Sequence, residues 1–211
     1  MMYRHEKVKI HRQTGECVEA IAPIIVSASR STDIPAFHSD WFFNRLKSGY
    51  CGWRNPFNQQ ESFVSFAKTR CVVFWSKNPA PLLDKLHLLK ERDIHSYVQF
   101  TLNHYKAEGF EPAVPGLAQR IDTFKRLVDA LGVGAVIWRY DPIILTDKLQ
   151  IDDHLGRILA ISDMLKGYCE KLVFSFADIA GYRKVQYNMN QCKVAYEDFT
   201  PEKKAQFAKG L

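Results

Sequence analysis

Clustered cysteine is missing from this chain. Its five cysteines, Cys17, Cys51, Cys71, Cys169 and Cys192, are scattered, and no CxxC pair occurs. An odd, dispersed set argues against a disulfide framework and against a zinc or iron–sulfur centre built by this chain alone. Cys51 and Cys71 fall in or beside expected strands, where a buried reduced thiol is expected. The seven histidines form no HxH or HxxxH pattern, so no metal site is expected, and His38, His104 and His154 read as loop or cap residues. Glycine-rich GxGxxG or GxxxxGK[ST] loops are absent, which counts against a nucleotide-binding doubly wound sheet. No GxSxG elbow and no Cys–His pairing stands out. Apolar runs stay well short of the roughly 20 residues of a membrane span. The opening stretch MMYRHEKVKIHRQTGE has no apolar segment to act as a secretion signal. A cytoplasmic protein without a membrane partner is expected.

What is present can build a core. The 211 residues are 46% hydrophobic and 13% aromatic, enough for one sizeable domain. A net charge of +6 favours anionic partners, either small phosphates and carboxylates or nucleic acid. Much of that excess sits in the first twelve residues and at Lys203, Lys204 and Lys209. Nothing in the pattern speaks to oligomeric state.

Periodicity predicts an N-terminal extension over 1–22 with a hairpin, 8–11 pairing 17–21 about Thr14-Gly15-Glu16. Core strands are expected at 24–29, 50–54, 71–75, 97–102, 135–139 and 171–176, with a short extended piece at 62–66. Helices are expected at 40–47 behind Ser39, at 81–92, at 116–131, and at 153–166 behind Asp152. Thr200-Pro201-Glu202 opens a final helix within a C-terminal helical segment, 181–211.

Strands alternating with amphipathic helices imply βα units and a parallel sheet over 23–180. Within 97–103, Val98, Phe100 and Leu102 share one face while Gln99, Thr101 and Asn103 share the other. Central strands of a doubly wound sheet are apolar on both faces, whereas a barrel strand can turn polar groups to the interior. The expectation is therefore a TIM-like (β/α) barrel, either partial with about six strands or closed.

A recurring device then locates a site. Arg139-Tyr140-Asp141-Pro142 follows an apolar run, as do Trp53-Arg54-Asn55-Pro56, Trp75-Ser76-Lys77-Asn78-Pro79 and Arg30-Ser31-Thr32-Asp33-Ile34-Pro35. Proline donates no N–H to a ladder and holds the preceding residue extended, so each polar group is expected where a strand stops. In barrels the active site lies at those C-terminal ends. The expected ligand-binding rim is Arg30, Asp33, Arg54, Asn55, Lys77, Asn78, Gln99, Thr101, Asn103, Arg139, Asp141, Ser175 and Asp178. Such a mouth suits an anionic or zwitterionic small molecule, with Arg139 gripping it and Asp141 orienting Arg54, Lys77 or the ligand's own donor. Taken singly, each Arg–Asp pair could equally stitch loops together. Trp53, Trp75 and Trp138 are expected in the core. No catalytic residue is assigned, and a non-catalytic nucleic-acid or phosphate binding module is the alternative.

The segments SASRSTDIPAFHSDWF, GWRNPFN, VFWSKNPAPLL, QFTLN and VIWRYDPIILT resemble the bacterial and archaeal family called domain of unknown function 1848. The resemblance runs from about Ile24 to Asp178. Ser31 stands where the family places a second arginine, which removes one cation from the rim. The resemblance implies a barrel-like scaffold. Members usually continue into a cysteine cluster similar to that of radical-SAM enzymes. For complete members it therefore implies iron–sulfur redox or radical chemistry. This chain reaches Leu211 without that cluster, and Cys192 alone is no substitute. An iron–sulfur cofactor is expected only if a cysteine-rich segment follows.

Overall fold

The computed structural model describes residues 6–28, 32–55, 57–191 and 194–211. Arg30, one of the expected rim cations, and Cys192 lie outside the described residues. The chain divides into two compact units, Met1–Gln99 and Phe100–Leu211.

In the first unit β1 (Lys7–His11) and β2 (Cys17–Ile21) pair antiparallel, with Gly15 at a φ of 85° in the turn between them. Next come β3 (Ile25–Ser27), the short α1 (Ile34–Phe37) and α2 (Ser39–Ser48), then β4 (Tyr50–Arg54) and β5 (Glu61–Ser65). β6 (Cys71–Ser76) leads through a 3₁₀ segment, Ala80–Lys85, and α3 (His87–Lys90) to β7 (His95–Thr101). Gly49, left-handed at φ 84°, stops α2. Phe42 anchors that helix, its ring edge-on to Phe74 at 5.4 Å and to Phe66 at 6.0 Å. Fully burying one such ring contributes about 1.5–3 kcal/mol.

The second unit continues with α4 (Leu117–Leu131), β8 (Val136–Ile143), β9 (Leu145–Thr146), α5 (Ile151–Met164) and β10 (Leu172–Phe176). α6 (Arg183–Gln191), β11 (Tyr196–Glu197) and α7 (Pro201–Gly210) complete it. Phe124 of α4 stacks on Phe100 at 5.8 Å. Phe207 of α7 is fully buried against Phe174 and Phe176. Thr200 caps α7, its Oγ1 accepting from the Lys203 N–H at 3.3 Å, with Pro201 at the first helical position.

The protein is mixed α/β, with a five-stranded parallel sheet in the order β10-β8-β7-β6-β3. No closed barrel is detected among the described residues. The helices after β7 and β8 return the chain to the next parallel strand, as parallel pairing requires. All five strands run one way, so the polar residues after β7 and β8 come to the same edge.

Several expectations need correcting. Residues 50–54 do not join the parallel sheet. They pair antiparallel with β5 in a separate four-stranded sheet ordered β1-β2-β5-β4. The cause is local. Asn55 Oδ1 accepts from the Phe57 N–H at 2.9 Å and Asn58 Oδ1 from the Gln60 N–H at 3.0 Å, so the loop folds into Asx turns and closes a hairpin. The helix expected over 81–92 is a 3₁₀ segment followed by one turn of α3, with Pro79 and Pro81 supplying no N–H at its start. Its apolar face is nonetheless correct, with Leu82, Leu86 and Leu89 buried. Pro142 does not end β8, which continues to Ile143. The register instead shifts, with Phe174 opposite Tyr140 but Phe176 opposite Ile143. Bulges are where a strand tolerates proline. α5 starts at Ile151, behind a Gln150–Asp153 capping box rather than behind Asp152.

Candidate functional site

In the first unit, Asp33 spends both carboxylate oxygens on backbone. Oδ1 accepts from the Ala36 N–H and caps α1, while Oδ2 accepts from the Lys77 N–H, both at 3.0 Å. Asp33 and the end of β6 are thereby joined. The neighbouring Asn78 N–H bonds Ser76 Oγ at 2.9 Å. Arg54 meets Glu61 at 3.1 Å across the β4–β5 hairpin, and the Asn55 side chain is occupied in its turn. Gln99 is half-buried on β7. Trp53 and Trp75, expected in the core, are half exposed. β4 is an edge strand, and the alternation of β6 turns Val72, Phe74 and Ser76 inward and Trp75 out. Trp138 is buried as expected, its Nε1–H donating to the Leu102 carbonyl at 2.8 Å.

The second unit brings four of the expected residues together where β7 and β8 end. Arg139 donates through Nε to Asp141 Oδ2 at 3.0 Å and through NH2 to the same oxygen. Thr101 Oγ1 donates to Asp141 Oδ1 at 3.4 Å, and Asn103 Nδ2 donates to the Asp141 carbonyl at 3.2 Å. The Arg139 and Asp141 side chains are 14% and 8% exposed. The pair is therefore desolvated, and its charges answer one another. Ser175 is exposed on β10, an edge strand. Asp178 is exposed and folds back to accept from the Gly181 N–H at 2.9 Å.

The same network leads to a residue absent from the expected set. Arg120, in the first turn of α4, donates through NH2 to the Asn103 carbonyl at 2.6 Å. The residue is only 4% exposed, and its Nε and NH1 have no hydrogen-bond partner. Burial lowers its pKa, and the Glu111 carboxylate opposes that shift. Arg120 lines a cavity of about 400 Å³ together with His104, Tyr105, Glu111, Gly116 and Leu117. Gly116 caps α4 without a side-chain acceptor, and the first turn holds no acidic residue. The cavity thus combines a buried, under-bonded guanidinium with the amide end of a 15-residue helix. Both favour an anion. A sequence signal does exist. Leu117, Arg120, Ile121, Phe124 and Val128 fall on one helical stripe, and a charge on that stripe must go inward with it.

Beside the cavity runs a satisfied polar chain. His154 Nε2 lies 2.9 Å from the Ile144 carbonyl, which can only accept, so Nε2 carries the proton. Nδ1 then accepts from the Tyr140 hydroxyl at 3.0 Å. Burial lowers the His154 pKa and keeps the ring neutral, and it raises those of Tyr140 and Tyr105. Tyr105 donates to the Pro142 carbonyl at 2.6 Å. Arg157 forks onto Glu108 at 2.7 and 3.1 Å and also bonds the His104 carbonyl. Burial alone would raise Glu108, but the Arg157 bonds outweigh it and leave the carboxyl below its usual range.

The family profile described as Domain of unknown function (DUF1848) matches residues 25–211. The chain belongs to the DUF1848 family. No curated protein and no solved structure matches it. The DUF1848 match takes in every strand of the parallel sheet together with Arg120, Arg139 and Asp141, and leaves the β1–β2 hairpin outside. Iron–sulfur ligation does not fit the described residues. They hold no group of three or more His, Cys, Asp or Glu placed for a metal. Cys17, Cys51, Cys71 and Cys169 are separate free thiols. Cys51 and Cys71 are half-buried rather than buried, and burial raises both pKa values, against a weaker lowering by Arg45 at Cys51. No described helix is long and apolar enough to cross a membrane.

Proposed function

We propose that this DUF1848 chain is a barrel-like scaffold that binds a small anionic or zwitterionic molecule, a carboxylate or phosphate, in the cavity at Arg120. The observation that carries the reading is the Arg120 guanidinium, with two nitrogens buried and under-bonded beside an uncapped helix N-terminus. Buried donors left without hydrogen bonds are costly, and an anion forked onto Nε and NH1 would recover that cost. Glu111 on the cavity wall favours ligands that also carry an ammonium or hydroxyl donor. Parallel strands alternating with helices support the partial-barrel reading, and a site beyond the strand ends is where such folds bind ligands. The Arg139–Asp141 pair then supports the floor through Asn103 rather than gripping the ligand itself. Radical-SAM chemistry remains tied to a cysteine-rich segment.

The test is a thermal-shift panel of inorganic phosphate, succinate and glutamate on the wild type and on Arg120→Met. A ligand at a hundred times its Kd adds about 2.7 kcal/mol to stability. At least one compound should raise the wild-type melt in a concentration-dependent way and leave Arg120→Met unmoved. Equal responses from both proteins, or none from the wild type, would overturn the proposal.

A further inference from the structure

The first unit holds a second cavity of different chemistry. It measures about 340 Å³ and lies against the hairpins and α2. Its cations are Arg12, Arg45 and Arg54, facing a single lining carboxylate, Glu61. Arg54 and Arg12 approach Glu61 at 3.1 and 3.9 Å, and Arg12 is also held by Glu16 at 2.8 Å. Arg45 Nε is buried without a hydrogen-bond partner. The remaining wall is aromatic. Trp41 and Trp53 border the cavity at 45% and 50% exposure, although tryptophan is usually well buried. Arg12 lies over the Phe63 ring, 5.1 Å from its centroid. The Gln13 N–H bonds the Tyr50 hydroxyl at 3.3 Å and ties the β1–β2 turn to β4. Gly52 sits opposite Phe63, where a Cβ would come within 3.3 Å of the ring. The turn residues Arg12, Gln13 and Thr14 lie outside the stretch that matches the DUF1848 profile, so the family match alone does not define this cavity.

We propose that this cavity binds one nucleotide unit, with its base stacked on Trp41 or Trp53 and its phosphate held by Arg45 with Arg12 and Arg54. Simple anion capture does not call for two half-exposed indoles. A purely apolar ligand does not call for three guanidiniums. The combination of aromatic faces and cations is the one that single-stranded nucleic acid and free nucleotides share. The volume suits a single unit at the small end of ligand sites. This cavity shares no lining residue with the one at Arg120.

The experiment titrates the wild-type chain with adenosine monophosphate, a fluorescently labelled dT12 strand, inorganic phosphate and polyglutamate, by calorimetry and anisotropy at two salt concentrations. The monophosphate, the strand or both should bind, and more weakly at high salt. Binding of the monophosphate alone marks a free nucleotide as the source, and binding of the strand alone marks nucleic acid. Trp53→Ala or Trp41→Ala should weaken binding about tenfold or more, as loss of a base stack does. Trp53→Phe should keep part of it, and Arg45→Met should weaken it and flatten the salt dependence. Arg120→Met should bind like wild type, which separates this site from the other. Circular dichroism checks that each variant is folded; if an alanine variant unfolds, Trp53→Phe and Arg45→Met carry the comparison. No binding by either nucleotide probe would overturn the proposal. So would phosphate or polyglutamate binding as tightly, or folded tryptophan variants binding unchanged.

Discussion

Arg139 and Arg120 lie in the same unit, are both largely buried and belong to one hydrogen-bond network, yet they are in opposite states. Arg139 closes on Asp141 two residues away on its own strand, and Thr101 takes the other carboxylate oxygen. Arg120 has one carbonyl, that of Asn103, and two nitrogens left over. A buried charge whose counter-charge is built in is structural. A buried charge with unbonded donors on a cavity wall has room for a ligand. The sequence pattern marks the first kind, because an Arg–x–Asp at a strand end is conspicuous, and it conceals the second.

The largest effect should come from breaking the satisfied pair. Asp141→Leu removes the carboxylate that Arg139 and Thr101 both bond and should cost about 3–5 kcal/mol in urea unfolding. A loss below about 1 kcal/mol would mean that the pair is not structural. Next comes pH. His154 has a folded pKa below its unfolded value of about 6.5, so between the two the unfolded chain binds more protons and stability rises with pH. Stability should therefore fall as pH drops below about 6.5. A loss of the same sign should follow as pH falls below about 4.3, where the contribution of the depressed Glu108 carboxyl fades. His154→Gln should flatten the first slope in urea midpoints taken from pH 5 to 7.5; an unchanged slope would remove His154 as its source.

Arg120→Met sharpens the contrast. It removes an under-bonded buried charge and leaves one carbonyl unpaired, two effects of opposite sign. Unliganded stability should change by about 1 kcal/mol or less, far below the Asp141→Leu effect. A loss as large as that of Asp141→Leu would make Arg120 a structural residue too. The smallest effect belongs to an arginine in water. The Arg54–Glu61 pair is 63% and 41% exposed, and Arg54→Ala should change the unfolding free energy from urea melts by no more than about 0.5 kcal/mol.

Much of the fold is legible from residue patterns. The Gly15 turn, the alternation through Val98, Phe100 and Leu102, the apolar stripe of α4 and the Thr200-Pro201 cap each rest on a local rule, and each element forms. What escapes is non-local or marginal. Whether residues 50–54 join one sheet or another depends on Asx turns beyond Arg54 and on a partner strand that carried only a weak extended signal. The two-residue strands β9 and β11 are too short to leave a period. The proline-led start over 79–85 tightens a helix whose leucine spacing looks regular. At the candidate site, Thr101, Asn103, Arg139 and Asp141 announce themselves by their place at strand ends. Arg120 does not, because a single arginine in an amphipathic helix normally faces water, and only its stripe shows that it cannot.

Arg120 keeps guanidinium donors for an outside anion in this reading, while Arg139 gives its Nε–H to Asp141. A ¹⁵N spectrum of the arginine Nε–H groups and backbone amides, followed during a phosphate titration, tests it most directly. The Arg120 Nε–H should shift saturably together with the Leu117 and Ala118 amides, with the Arg139 Nε–H unmoved. Shifts at Arg139 with Arg120 silent, or non-saturating drift of all arginines alike, would contradict it.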